Sequence, residues 1–232
     1  SLALMRVGLA CALLWDMVVT LSVADDWWAM QGYESMPLPA WLIIGTPATT
    51  LRLAAGAVVL VSVGLALGWQ ARWMTAAAWL SACAHHYAGR GTADYHNALM
   101  CVLLLWSLAL PLGERWSLDA RTGRRSTPRP WMWRAGAFGL VVSLAWIYLS
   151  TAAAKTGPSW GEGSAVWLAL LDRATQTKLG RGVATFPIPL LKLATWFTLA
   201  IEWAAPVLIL WPRARWLAVG LLTGLHGTTW LL

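Results

Sequence analysis

Lys155 is the residue of this sequence best placed for acid–base chemistry. It follows an apolar stretch at residues 135–154 and opens the segment Lys155-Thr-Gly-Pro-Ser-Trp160-Gly-Glu-Gly163. A charged amine at the end of a membrane helix is costly unless it extends to the lipid headgroups or has a function inside the protein. The chain uses fourteen arginines and only three lysines, and lysine differs from arginine because its proton can leave in apolar surroundings. The position therefore predicts that Lys155 is a base.

Four further ionisable residues fall inside apolar stretches. Asp16 is expected to form a structural ion pair with a neighbouring helix. Glu202 is expected to be either neutral or paired with a cation such as Arg or Lys, and His226 is the first partner to test for it. His96 opens an apolar stretch after Asp94-Tyr95. A lone histidine in an apolar helix more often packs than catalyses, so the sequence alone leaves both histidines open.

Composition predicts an all-α, polytopic transmembrane helical bundle. Of 232 residues, 59% are hydrophobic and 12% are charged, and the apolar residues form long blocks. Blocks of about 17 to 25 residues are typical of membrane spans. Seven are predicted, at residues 2–24, 51–69, 73–87, 95–112, 135–154, 193–211 and 216–232. Both ends of the sequence look truncated, which allows for an eighth span, and residues 1–232 are predicted to form a single integral membrane domain.

The segment at residues 156–192 is too polar to be a span. Its alternation of apolar and charged residues predicts a helix lying in the outer membrane interface, where it covers the bundle. Long connections without regular structure are often binding segments. We therefore expect a pocket beneath this segment, with the Lys155 amine at its wall.

The distribution of arginines predicts the orientation. The connection at residues 113–134 contains six of them, namely Arg115, Arg121, Arg124, Arg125, Arg129 and Arg134. Short arginine-rich loops remain cytoplasmic, so the amino terminus is predicted to be cytoplasmic and the acidic first loop (Asp25, Asp26 and Glu34) external. Lys155 and His96 would then lie at the outer face of the inner, cytoplasmic membrane of the cell.

Composition also excludes several classes of function. The net charge of +7 fits anionic lipid headgroups, and no basic stripe of the kind that binds nucleic acid is present. Cys11, Cys83 and Cys101 lie within spans and match neither disulfide nor zinc spacing. No metal site and no nucleic-acid partner are expected.

Several motifs occur in a specific order along almost the whole chain. They are Asp94-Tyr95-His96-Asn97, Trp116-Ser117-Leu118-Asp119, Lys155 with Trp160 and Gly163, Glu202, and His226. In this order and spacing the chain resembles the HTTM family, the membrane domain shared with vitamin K-dependent gamma-carboxylase.

The resemblance implies a mechanism that uses a reduced quinone. Lys155 would act as a weak base on vitamin K hydroquinone, assisted by His96, and oxygen would then convert the quinol to a stronger base. That base would remove a carbon-bound proton from a substrate Glu, and the carbanion would capture carbon dioxide while the quinol became an epoxide. The resemblance places Tyr95, Trp160, Gly163, Glu202 and His226 at the quinone pocket, and gives Trp116 and Asp119 structural roles.

Three functions remain open from the sequence. The favoured one is a carboxylase-like or epoxidase-like membrane enzyme that uses a reduced quinone, O2 and CO2. The arginine and alanine bias indicates a GC-rich bacterial gene, for which menaquinol is the available quinol. The second is a non-catalytic membrane factor for maturation or export of a secreted peptide, or a subunit of a membrane complex. The third is a haem or electron-transfer protein with histidine ligands.

Overall fold

The apolar blocks of the sequence fold into helices. In the computed structural model, which describes residues 1–22, 47–88, 95–124, 129–172 and 177–232, all regular structure of those residues is helical. The helices are α1 (Leu2–Ser22), α2 (Pro47–Leu67), α3 (Ala71–Ala88), α4 (Tyr95–Ser107), α5 (Leu118–Arg121), α6 (Pro130–Ala154), α7 (Pro158–Gly161), α8 (Ala165–Leu170), α9 (Lys178–Val183), α10 (Ile188–Leu210) and α11 (Arg215–Leu231). The acidic first loop and Asp94 lie outside the described residues.

Each of the seven predicted spans coincides with a helix. Fewer than seven of these helices, however, meet the length and composition expected of a membrane span. Among the described residues, three stretches are long and apolar enough to cross: Leu2–Val19 within α1, Pro130–Ala154 and Ile188–Leu210. Arg52–Leu67 and His96–Ser107 form shorter apolar helices. These helices support a membrane protein, and the count of seven to eight spans is not confirmed.

The fourth predicted span is shorter than its apolar sequence. Helix α4 has 13 residues and ends at Ser107, although the apolar run continues to Leu112. Pro111 accounts for the early end, because a proline ring clashes with the carbonyl four residues earlier, here that of Ser107. At about 1.5 Å per residue, such a helix is about 20 Å long, less than the bilayer core of about 30 Å.

The chain divides within α6 into two compact units, Ser1–Leu140 and Val141–Leu232. In the first unit, α1 packs on α2, α2 on α3 and α3 on α4. Its buried core includes Leu13, Leu65 and Leu104 together with Ala10 and Ala78, which are fully buried. Small residues at helix contacts allow the backbones to approach closely, and this strengthens packing between membrane helices.

In the second unit, α10 packs against α11 and the short helices α7 and α8 contact α10. The core contains Ala145, Ala205, Ile209 and Ala218. The prediction of a single helix at residues 156–192 is wrong, because the described part of this segment forms the three short helices α7, α8 and α9. Its place in the outer membrane interface stays a prediction. Gly163 separates α7 from α8 with a φ of +82°, which a continuous helix does not allow.

Candidate functional site

Lys155 is the first residue after α6. Its backbone N–H donates to the Ala152 carbonyl at 3.2 Å, a short-range bond that tightens the final helical turn. Gly157 is extended, with φ −68° and ψ 163°, and precedes Pro158. Because a residue before proline avoids the helical conformation, this short sequence ends α6 and leaves Lys155 at its terminus.

The Lys155 amine is paired with Glu202. Its Nζ donates to both carboxylate oxygens of Glu202, which lies on α10, and the two side chains are 22% and 9% exposed. A pair with this little water around it is costly to separate, because removing one partner leaves the other charge uncompensated. The expectation that His226 would be the partner of Glu202 is wrong. The alternative expectation, a cationic partner such as Arg or Lys, is met by Lys155.

Trp160 completes the surroundings of the amine. The Lys155 Nζ lies 5.0 Å from the centroid of the Trp160 ring, within the range of a cation–π contact. The ring face and the carboxylate both stabilise positive charge on the nitrogen. Proton transfer from Nζ to Glu202 would convert the ion pair into a neutral amine and a neutral acid, and this is the basic form of the pair.

A second polar pair joins α6 to α11. The Tyr148 hydroxyl lies 2.8 Å from Nε2 of His226. Tyr148 is seven residues before Lys155, and positions seven apart fall on the same face of a helix. Polar side chains from α6 and α11 are therefore associated within the second unit.

Gly163 fixes the segment after Lys155 to the helix that holds Glu202. Its carbonyl accepts a 2.8 Å hydrogen bond from the buried Thr195 hydroxyl, which in turn accepts from the Val166 N–H at 3.1 Å. A methyl group on Gly163 would lie 3.0 Å from Cβ of Lys192. The positive φ and this close approach both require glycine. The contacts indicate that Gly163 positions backbone, whereas its predicted place at a quinone pocket stays a prediction.

In the first unit, Arg6 occupies the other strongly polar position. Its side chain is fully buried and donates to the carbonyls of Leu112 at 2.6 Å, Arg115 at 3.2 Å and Ala66 at 3.4 Å, and also to that of Trp116. Guanidinium groups are always charged and present a fixed fork of donors. Arg6 therefore connects α1 to the C-terminal end of α2 and to the segment that follows α4.

The Trp116-Ser117-Leu118-Asp119 motif lies at the same junction, where the end of α2, the start of α3 and the segment after α4 meet. Both oxygens of the buried Asp119 accept backbone N–H bonds, from Gln70 at 2.8 Å and Ala71 at 2.7 Å, at the start of α3. Ser117 caps α5 by accepting from the Ala120 N–H at 3.0 Å. These are helix-capping contacts, and the structural roles that the resemblance gives Trp116 and Asp119 stay predictions.

Gly68 lies where the junction is most crowded. Its φ is +65°, and a methyl group there would lie 2.8 Å from the Arg6 guanidinium. The conformation and the lack of space both exclude a side chain.

The remaining predicted residues also belong to the first unit. Asp16 lies 3.6 Å from Nε2 of His85 on α3, a neighbouring-helix partner of the kind expected for it. His96 is exposed in the first turn of α4. The side chain of Tyr95 lies outside the described part of the structure. Lys155 lies in the second unit, so the joint action of Lys155 and His96 stays a prediction.

Sequence reasoning missed Tyr148 and Thr195. Each is a polar residue seven positions before a residue that was identified, Lys155 in one case and Glu202 in the other. A search for polar residues on the same helical face as an ionisable residue would have found both.

Comparison with known proteins gives a match over the full length. The HTTM domain matches residues 1–232. No curated protein and no solved structure matches the chain. The chain therefore belongs to the HTTM family, which is related to gamma-carboxylase.

Proposed function

We propose that this protein is a quinol-dependent membrane enzyme of the gamma-carboxylase type, with Lys155 as its starting base. The observation that supports it best is the Lys155 amine bound to Glu202 and facing the Trp160 ring. These groups suit a reduced quinone, because a neutral amine can accept a proton from one of its hydroxyls and an aromatic face can stack on its ring.

The role of Glu202 is to take the Lys155 proton. In a poorly hydrated site, a neutral amine beside a neutral acid avoids the desolvation of two charges. With its proton on Glu202, the nitrogen of Lys155 has a free electron pair and can remove the proton of a phenolic hydroxyl. Trp160 and the backbone around Gly163 would orient the ring and exclude water.

The quinone would supply the strong base that an amine cannot. In the balanced reaction, a quinol, O2, CO2 and a Glu side chain give the quinone epoxide, water and a gamma-carboxylated Glu. The Glu would belong to a secreted peptide or protein, and the quinol would enter from the bilayer. We place the enzyme in the inner membrane, with a cytoplasmic amino terminus and the active site at the outer side.

The test is quinone epoxide formation by the purified full chain in lipid nanodiscs. Menaquinol and O2 are supplied, and the epoxide is quantified by chromatography for the wild type, Lys155→Ala, Lys155→Arg and the control Lys178→Arg. We expect both Lys155 variants to lose at least about a hundredfold in rate, because a guanidinium keeps the charge but does not release its proton. Lys178 is exposed in α9, so its variant should match the wild type.

Equal epoxidation by Lys155→Arg and wild type would remove the assigned base. A folded wild-type protein without epoxidation would favour the non-catalytic membrane factor. A Soret absorbance band in the purified protein would favour the haem protein instead.

A further inference from the structure

A cavity of about 710 Å³ lies in the first unit. It lies among the start of α3, the turn that follows α4 and the start of α6. All three are helix ends, and α6 is one of the helices long enough to cross a membrane. Because α6 begins beside the cavity, we expect the cavity at the level where this helix leaves the hydrocarbon core.

Exposed tryptophans mark the same level. Trp73, which lines the cavity, is 69% exposed, and Trp131 in the first turn of α6 is 63% exposed. Tryptophan side chains concentrate at the boundary between lipid headgroups and acyl chains. The cavity thus opens where phospholipid headgroups are found.

Three arginines line this cavity: Arg72, Arg124 and Arg129. Within the described residues, none of their guanidinium groups has a hydrogen-bond acceptor or acidic partner. Arg6 and Arg215 differ, because their side chains donate to backbone carbonyls. Three guanidinium groups around one cavity, each without a partner among the described residues, favour an anion with several oxygens.

The rest of the lining fits an amphipathic ligand. Leu108 and Met132 contribute apolar surface beside the arginines. Asp119 is the acidic residue in the lining, but its two oxygens already accept the N–H groups of Gln70 and Ala71. The cavity therefore combines excess positive charge with an apolar wall.

We propose that this cavity binds the phosphate group of an anionic phospholipid through Arg72, Arg124 and Arg129. Phosphate oxygens accept bidentate hydrogen bonds from guanidinium groups, and basic pockets between membrane helices suit such headgroups. The apolar wall would contact the glycerol and the first methylenes of the acyl chains. The site is independent of the reaction proposed for Lys155.

The experiment is a native mass spectrometry titration of the full chain in detergent. The ligands are phosphatidylglycerol, phosphatidylcholine as a zwitterionic control, and inorganic phosphate. The cavity variant combines Arg72→Gln, Arg124→Gln and Arg129→Gln. The matched control removes the same charge from exposed arginines outside the cavity, with Arg115→Gln, Arg121→Gln and Arg213→Gln.

We expect the cavity variant to bind phosphatidylglycerol about tenfold or more weakly than the wild type, and the control to change by less than about threefold. Phosphatidylcholine should bind weakly to all three. If only inorganic phosphate binding is lost in the cavity variant, the site holds phosphate and the lipid assignment is overturned. Equal losses in the cavity and control variants overturn the site itself.

Folding of the variants is checked by thermal unfolding in the same detergent. If the triple variant does not fold, Arg72→Gln alone replaces it, compared with Arg121→Gln alone. A weakening of about fivefold, as expected for one lost phosphate contact, supports the site, and equal affinity of the two single variants contradicts it.

Discussion

The two units each hold a basic side chain close to the end of a membrane helix, and they hold it in opposite ways. Arg6 is fully buried and donates to backbone carbonyls. Lys155 remains 22% exposed and is held by one carboxylate and one aromatic ring.

The difference separates a cation held by backbone carbonyls from a cation paired with an ionisable side chain. Backbone carbonyls cannot take a proton at ordinary pH, so they fix the charge of Arg6 in place. Glu202 is itself an acid–base group, so the proton of Lys155 has somewhere to go. The two positions also differ in residue type, because a guanidinium keeps its proton whatever its partner, whereas an ammonium can release one.

The largest expected effect is on Arg6. The Arg6→Lys substitution keeps the charge but leaves several buried carbonyls without donors, because an ammonium does not reproduce the planar set of guanidinium donors. We expect a loss of about 3 kcal/mol or more in unfolding free energy. Chemical unfolding in detergent measures it, and Arg213→Lys, at an exposed position, should stay within about 0.5 kcal/mol. A wild-type midpoint for Arg6→Lys would contradict the structural role.

The next largest effect concerns Glu202. Glu202→Gln leaves the Lys155 amine without its counter-charge and should cost about 2 kcal/mol of stability, at the low end for a buried pair because Lys155 is partly hydrated. In the proposed enzyme it should also slow epoxidation by at least about tenfold.

Glu162→Gln is the matched control, since Glu162 is exposed in the same segment as Trp160. An epoxidation rate for Glu202→Gln equal to that of this control would show that the proton of Lys155 does not need Glu202.

A smaller effect is expected at Gly163. Gly163→Ala forces a side chain into a positive-φ conformation beside Lys192 and should cost about 1 to 2 kcal/mol in unfolding free energy. Gly161→Ala places its methyl group where no atom lies within 4 Å and should be neutral. Identical unfolding midpoints for the two variants would remove the backbone role assigned to Gly163.

The smallest effect is expected at Tyr148. Tyr148→Phe removes one hydrogen bond to His226 and should cost about 1 kcal/mol. Combining it with His226→Phe tests whether the two residues act together, because costs of paired residues do not add. Additive costs in the double variant would mean that the Tyr148–His226 contact contributes nothing to stability.

Sequence reasoning located the helices better than it described what lies between them. The helical blocks depend on local composition and length, which is why all seven predicted spans coincide with helices. Pro111 ended α4 early, a local signal that was present in the sequence and not used. The segment after Lys155 broke into short helices because Gly163 adopts a conformation that its neighbours alone do not specify.

The sequence identified the residues of the candidate site but not which of them are in contact with each other. Lys155, Trp160 and Glu202 were all identified, whereas His226 was assigned to Glu202 and lies instead against Tyr148. Spacing along one helix shows which residues share a face, but it does not show which face of a second helix they meet.

The sequence by itself determined an all-helical membrane protein with a lysine at a helix end, because apolar length and charge placement are local properties of the chain. The tertiary structure alone decided that this lysine meets Glu202, 47 positions further along the chain, and that Arg6 meets carbonyls more than 100 positions away. Such contacts depend on how separate helices pack, and many packings satisfy the same apolar pattern.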